Sequence, residues 1–201
     1  MAGFMLASIP HEFHWRNQPV AWHVDPEDTL TVTADAATDW FIDPAGAAAK
    51  NNAPSALFAP PDTRFRLSAK VSVAFASMFD AGVLEVYARD DLWAKLCFEY
   101  APQRQPMIVS VVTRGMSDDC NSTPINGTDV YLRMARNAQA FAFHYSRDGH
   151  YWHLVRHFTL GAMEKLWVGV AAQAPTGDGC TAVFSAVTYQ PGHLTDIRNG
   201  A

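Results

Sequence analysis

Alternation of apolar and polar side chains is the dominant pattern along this chain. In residues 65–75, Phe65, Leu67, Ala69, Val71, Val73 and Phe75 fall on one face and mostly polar residues on the other. That is the period-two signature of a half-buried strand. Comparable segments follow at 83–89, 93–100, 107–113, 130–136, 140–146, 151–158, 166–173 and 181–189. Turn residues separate them: Asp80-Ala81-Gly82, Arg89-Asp90-Asp91, Arg147-Asp148-Gly149 and Thr176-Gly177-Asp178-Gly179. Asp148-Gly149 between two alternating runs marks a hairpin, because glycine takes the positive φ that such turns require. Many short strands with no long amphipathic helix predict an all-β, two-sheet antiparallel sandwich or jelly roll. Residues 1–10 read as an ordinary first strand, and residues 45–50 as one helical turn or a loop. There is no internal repeat, and the proline-containing stretch at 51–54 is too short for a linker. One domain over residues 1–201 is therefore expected.

Composition sharpens this picture. Hydrophobic residues make up 49% of the 201-residue chain and charged residues 17%, enough to build a large core. The formal net charge of -5 argues against nucleic acid, whose phosphates demand a basic surface, and gives no attraction to anionic lipid. No apolar run is long enough to span a bilayer, and the N-terminal ten residues lack the cationic start of a secretory signal. Cys97, Cys120 and Cys180 are too few and too unevenly spaced for a disulfide framework or a zinc site, which fits reduced thiols in a cytoplasmic protein. The sequons Asn121-Ser122-Thr123 and Asn126-Gly127-Thr128 matter only in a secreted chain.

Period-two geometry also sorts the side chains by face. Ala94, Leu96, Phe98 and Tyr100 oppose Trp93, Lys95, Cys97 and Glu99; Leu84, Val86 and Ala88 oppose Val83, Glu85, Tyr87 and Arg89. Phe141, Phe143 and Tyr145 oppose Ala142, His144 and Ser146; Leu166, Val168 and Val170 oppose Trp167, Gly169, Ala171 and Gln173. One face of each strand is core. If these strands share a curved sheet, Glu85, Tyr87, Trp93, Lys95, Glu99, His144 and Gln173 line its concave outer face. Aromatic rings beside hydrogen-bonding groups suit sugars, whose C–H faces pack on rings while their hydroxyls seek polar partners. The same residues also fit a solvated face with cross-strand ion pairs among Lys95, Glu85 and Glu99.

Four stretches carry a family resemblance: Asp80 through Tyr100 with its Trp93-x-Lys95-x-x-x-Glu99 spacing, Val109 through Asp118, Tyr145 through Trp152, and Val168 through Cys180. With Thr38-Asp39-Trp40-Phe41 they resemble the domain-of-unknown-function 1349 family, also described as regulation-of-enolase-like. The resemblance implies a concanavalin A-like sandwich and draws attention to Trp93, Lys95, Glu99, Thr113, Ser117 and Asp118. At Asp119 this sequence departs from relatives that carry tryptophan there, which removes a ring that would stack from that loop.

Three functions remain open. The first is binding of a carbohydrate or related small molecule, with Trp40, Tyr87 and Trp93 stacking and Lys95, Glu99, His144 and Gln173 hydrogen-bonding. The second is a regulatory protein-interaction scaffold or homodimer using the same face or a sheet edge, as the family's enolase-linked description suggests. The third is a glycoside hydrolase or lyase. Retaining hydrolysis needs carboxylates roughly 5–5.5 Å apart, and the Glu-x-Asp-x-Glu strand of related glucanases is reduced here to Glu85-Val86-Tyr87-Ala88-Arg89. Glu99 with Glu85 or Asp118 would have to supply the pair. No catalytic residue is assigned. No phosphate loop, dinucleotide fingerprint or nucleophile elbow occurs, so no cofactor is expected. His153 and His157 on a strand would stand about 13 Å apart, too far to share a metal ion.

Overall fold

The computed structural model describes residues 3–201, which form strands and no helix. In chain order these are β1 (His14–Arg16), β2 (Ala21–Val24), β3 (Leu30–Asp35), β4 (Trp40–Ile42), β5 (Ala49–Asn51), β6 (Ser55–Phe58), β7 (Arg64–Val73) and β8 (Ala81–Arg89). There follow β9 (Leu92–Ala101), β10 (Gln105–Arg114), β11 (Met116–Pro124), β12 (Asp129–Asn137), β13 (Ala140–Ser146), β14 (His153–Thr159), β15 (Trp167–Gln173) and β16 (Gly179–Pro191). The first sheet runs β1-β6-β15-β8-β9-β10-β11 and the second β14-β13-β12-β7-β16-β3-β2; β4 and β5 pair as a separate hairpin. The pairing is antiparallel throughout.

The core lies between the two large sheets. Leu84 and Val86 of β8, Leu96 and Phe98 of β9, Ile108 and Val112 of β10, and Val168 and Val170 of β15 face inward from the first. Phe65, Leu67 and Val71 of β7, Leu132 and Met134 of β12, Phe141 and Phe143 of β13, and Phe184 of β16 meet them from the second. Burying each large apolar side chain is worth about 1.5–3 kcal/mol, so the alternation read from the sequence is also the energetic basis of the sandwich. The hairpin turn behaves as its residues dictate. Gly149 has a φ of 78°, and the Asp148 carboxylate accepts the backbone N–H groups of His150 and Tyr151, each at 2.8 Å.

Three segments differ from the sequence expectation. Met1 and Ala2 of the expected first strand lie outside the described residues, and the rest forms only an isolated bridge between Phe4 and Phe13. The Asp28 carboxylate captures the N–H groups of Ala7 and Ser8 at 2.6 and 2.9 Å, and Pro10 has none to offer, so no ladder can form. Residues 45–50 are neither helix nor plain loop: Ala49 and Lys50 pair with Ile42 and Phe41 in the β4–β5 hairpin. Strand β11 has no apolar alternation to reveal it; its pairing with β10 across a turn at Gly115, φ 80°, makes it a strand.

Among the described residues no helix is long and apolar enough to cross a membrane. The three cysteines are free, Cys97 and Cys180 buried and Cys120 exposed.

Gly169 of β15 sits against β6 with no room for a side chain: a Cβ there would overlap the Ala56 carbonyl oxygen. Gly169→Ala is expected to push the two strands apart and to cost about 3 kcal/mol, the upper part of the usual overpacking range. Urea denaturation measures this; an unchanged midpoint would show that the strand pair yields freely.

Candidate functional site

The register of the first sheet decides which side chains share its outer face. One row across it reads Thr113, Trp93, Tyr87, Trp167; the next reads Asp119, Val111, Lys95, Glu85, Gly169, Leu57. A third reads Asn121, Val109, Cys97, Val83, Ala171, Ser55, and a fourth Met107, Glu99, Ala81, Gln173. Glu85, Tyr87, Trp93, Lys95, Glu99, Thr113, Ser117 and Gln173 therefore do lie on one face. It is not an open one. The chain between β3 and β6 crosses it, held by Thr38 N–H to Ala174 O, Trp40 Nε1–H to Ser55 Oγ of β6 at 3.1 Å, and Ile42 N–H to Ser117 Oγ at 2.9 Å.

This covering segment changes the role of the aromatic residues. Trp40 packs edge-on against Tyr87 and Trp93 with ring centroids 5.7 and 5.8 Å apart. Trp40 and Trp93 are 1% and 0% exposed, so neither offers a free ring to a ligand. The expected stacking platform is instead a small second core. Glu85 is sealed beneath it, accepting a hydrogen bond from Ser55 Oγ. Burial raises its carboxyl to about pKa 7 against the opposing pull of that bond and of Lys95. Thr113 and Ser117 hydrogen-bond each other at 2.9 Å and anchor the hairpin.

Lys95, Glu99 and Gln173 open instead into a cavity of about 490 Å³ with Asp39, Phe41, Lys50, Phe79, Asp119, Asn121 and Thr176 in its wall. That volume is within the range of small-molecule sites, roughly 300–1,000 Å³. Lys95 Nζ donates to Asp39 Oδ1 at 3.0 Å and to Gln173 Oε1 at 2.8 Å, and Gln173 Nε2 donates to Phe79 O at 3.1 Å. Burial, the largest single influence, works to lower the pKa of Lys95, but the acidic groups facing it, Asp39 first, together with the Asp39 hydrogen bond outweigh it and the net shift is upward, so the ammonium form persists. Glu99 is 7% exposed and accepts no hydrogen bond among the described residues. Its carboxyl is raised to about pKa 8, first by burial, with Lys95 opposing and Asp39 and Asp119 adding to the rise. It is therefore mostly a neutral acid at pH 7.

Two expected members lie elsewhere. Asp118 pairs with Val112, a core-facing position, so it points from the sheet side opposite to Asp119, and it binds Arg156 at 2.8 Å. His144 belongs to the second sheet, opposite Arg133, where its Nε2 hydrogen-bonds Ile197 O at 2.8 Å. Period-two sorting assigns faces within a strand but not strands to sheets, so it groups His144 with residues of a different sheet. Asp39, Asp119 and Asn121 were missed. Asp39 lay within the Thr38-Asp39-Trp40-Phe41 motif. Asp119 and Asn121 would have followed from Ser117 by alternation had residues 116–124 been read as a strand.

Glu85 and Glu99 do not form a hydrolase pair. Glu85 stands opposite Lys95, and Glu99 lies four residues farther along β9, roughly 13 Å away by strand rise. A larger cavity, about 780 Å³, lies beyond Trp40 between Tyr87, Trp167, His11, His14 and Arg16. There Arg16 already covers the Tyr87 ring at 4.4 Å and pairs with Asp90. Among the described residues no group of three or more His, Cys, Asp or Glu side chains is placed to hold a metal ion.

A family model described as a protein of unknown function, DUF1349, matches residues 15–192. No curated protein matches the chain. A functionally unknown protein from Saccharomyces cerevisiae superposes with a TM-score of 0.80 at 22% identity, over 90% of this chain and 96% of that one. The GH43 protein BlXynB from Bacillus licheniformis gives a TM-score of 0.72 at 17% identity over 90% of this chain, which spans only 37% of that protein. The carbohydrate-binding module CBM66 from Bacillus subtilis gives 0.55 at 13% identity, over 88% and 94% of the two chains. Likeness at these identities shows the fold alone: a concanavalin A-like jelly-roll sandwich of two antiparallel sheets.

Two outcomes follow from this geometry. Lys95→Met leaves the Asp39 carboxylate, 16% exposed, without its cation. It is expected to destabilise the protein by about 3 kcal/mol, at the low end for a broken buried pair; chemical denaturation reads this, and an unchanged midpoint would show that the pair contributes nothing. Burial depresses His144 to about pKa 4, with Arg133 and His157 adding to the effect and the bond to Ile197 opposing. The native state thus resists a proton that the unfolded chain accepts near its ordinary value, so this contribution is intact above about pH 6.5 and lost as the pH falls toward 4. His144→Gln is expected to flatten stability over that interval; an unaltered acid limb would assign the loss to other groups.

Proposed function

This chain belongs to the DUF1349 family, and we propose that it is a binding module that takes up a carbohydrate or related small polyhydroxylated molecule in the cavity beside the β4–β5 hairpin. The observation that carries this reading is Glu99: a carboxyl 93% buried, without a hydrogen-bond partner among the described residues, in the wall of a small-molecule-sized cavity. Its oxygens keep access to the cavity, so a ligand hydroxyl can reach them and form the hydrogen bond that no protein group supplies. Around it, Asp119 and Asn121 from β11 are exposed at the cavity wall, and the rings of Phe41 and Phe79 supply apolar surface for the C–H side of such a ligand. The fold shared with a carbohydrate-binding module is consistent with this reading but is only an analogy.

Binding at this site differs from the aromatic-platform arrangement. Trp93 and Trp40 do not line the cavity, and the ligand contacts are polar and reached from the β11 edge. Asp119 and Asn121 carry no fold-stabilising contacts among the hydrogen bonds and ion pairs of the described residues, so their removal separates binding from folding. Asp119→Ala and Asn121→Ala are each expected to retain the wild-type melting temperature and to weaken sugar binding roughly 3- to 10-fold, the value of one or two hydrogen bonds. Isothermal titration with mono- and disaccharides measures it. Binding unchanged in both variants, or weakened equally by Trp167→Ala in the larger cavity, would move the site elsewhere.

A further inference from the structure

We infer that the ligand of this cavity is uncharged, a neutral polyol or sugar rather than a uronate or a sugar phosphate, and that Glu99 donates a hydrogen bond to one of its oxygens. This rests on the binding role proposed above and adds to it the ligand's charge and the polarity of one contact.

A small set of charged groups faces Glu99. From its own strand come Lys95 and the thiol of Cys97; Asp119 comes from β11, Asp39 from the segment entering β4, and Lys50 from β5. The facing positions on β8 and β10, Ala81 and Met107, carry no charge, and β15 contributes the amide of Gln173. Burial pushes the Cys97 thiol far up, so it stays neutral. Two ammonium groups, Lys95 and Lys50, are thus matched by two carboxylates, Asp39 and Asp119. Lys95 is already committed, its ammonium bonded to Asp39 and Gln173. An anionic ligand would meet the Asp119 and Asp39 carboxylates with no surplus of positive charge to offset its desolvation. A neutral polyol meets no such penalty, and its hydroxyls act as donor to Asp119 and as donor or acceptor to Asn121.

Glu99 completes the donor set. Held as the acid at neutral pH by burial and by Asp39 and Asp119, its carboxyl presents an O–H to the cavity. A sugar ring or hydroxyl oxygen is a suitable acceptor. Raising the pH through about 8 ionises Glu99, which removes the donor and adds a third negative charge to the wall.

The test is calorimetric titration of the full chain with D-xylose, D-galactose, lactose and sucrose as neutral probes, and D-galacturonate and a glucose phosphate as charged ones. Each is run at about pH 6 and about pH 9.5, on wild type and on Glu99→Gln. The expected result is binding confined to neutral probes and weakened about thirtyfold at the higher pH, because the ionised form does not bind. Glu99→Gln, which keeps an N–H donor and cannot ionise, should bind with no such pH dependence. The wild-type profile stands by itself should the variant not fold. Binding of charged probes in preference to neutral ones overturns the inference while leaving the proposed function intact. So does neutral binding that is flat with pH in wild type, or equally pH-dependent in Glu99→Gln. Absence of binding by either panel at both pH values overturns the proposed function and this inference with it.

Discussion

Lys95 places a cation on the outer face of the first sheet where 4% of its side chain meets solvent, and much of the site answers to that charge. Its compensation comes from Asp39, 56 residues earlier in the chain, on the segment that crosses the face to form the β4–β5 hairpin. The pair therefore fastens the covering segment to the sheet. Gln173 shares the ammonium and relays the contact to the Phe79 carbonyl, tying together β9, β15 and the loop before β8. A buried charge needs partners with well-defined geometry. Here that requirement holds Asp39, Lys95 and Gln173 together at one end of a cavity, and it leaves Glu99, with no such partner, facing the same space.

The covering segment has a second consequence. By seating Trp40 against Tyr87 and Trp93 it converts an aromatic strip into a wall. Arg16 and Tyr87, which touch that wall, line the larger cavity, while Asp39 and Phe41, its neighbours in sequence, line the smaller. The two recesses differ in chemistry for this reason. In the larger one the guanidinium pairs with Asp90 but leaves its Nε without a hydrogen bond. In the smaller one the ammonium of Lys95 is fully committed, and a carboxyl that no protein group hydrogen-bonds faces the open space. The shared sandwich fold supplies the sheet on which this is built, but sandwiches of this kind host many functions, and the hairpin with its Asp39 gives this face its local character.

How far the site could be read in advance depended on which physical signal each residue carried. Phe65, Leu67, Val71 and their counterparts announced the core because period-two burial of apolar groups is a local property of a strand. The same alternation put Lys95, Glu99, Glu85 and Trp93 on one side of their strands, as the sheet register bears out. His144 satisfies the alternation equally well yet belongs to the second sheet, because nothing within a strand records which sheet it joins. Asp118 and Asp119 are adjacent and chemically identical. Only the pairing of Val111 with Asp119 and Val112 with Asp118 sends one to the cavity and the other to Arg156.

By itself the sequence determined an all-β chain, the inward faces of its long strands, the Asp148-Gly149 turn and the family to which it belongs. These rest on near-neighbour geometry: alternation, glycine's access to positive φ, and motifs read in order. The tertiary structure decided that residues 36–54 fold over the first sheet, that its tryptophans are enclosed, and that Asp39 and Asp119 converge on Lys95 and Glu99. Contacts between groups 20 to 136 residues apart, such as Glu99 with Asp119 and Thr38 with Ala174, depend on register and on the path of the covering segment. No local pattern encodes these, because they arise only when separate strands are hydrogen-bonded side by side and the buried charges among them have to be matched.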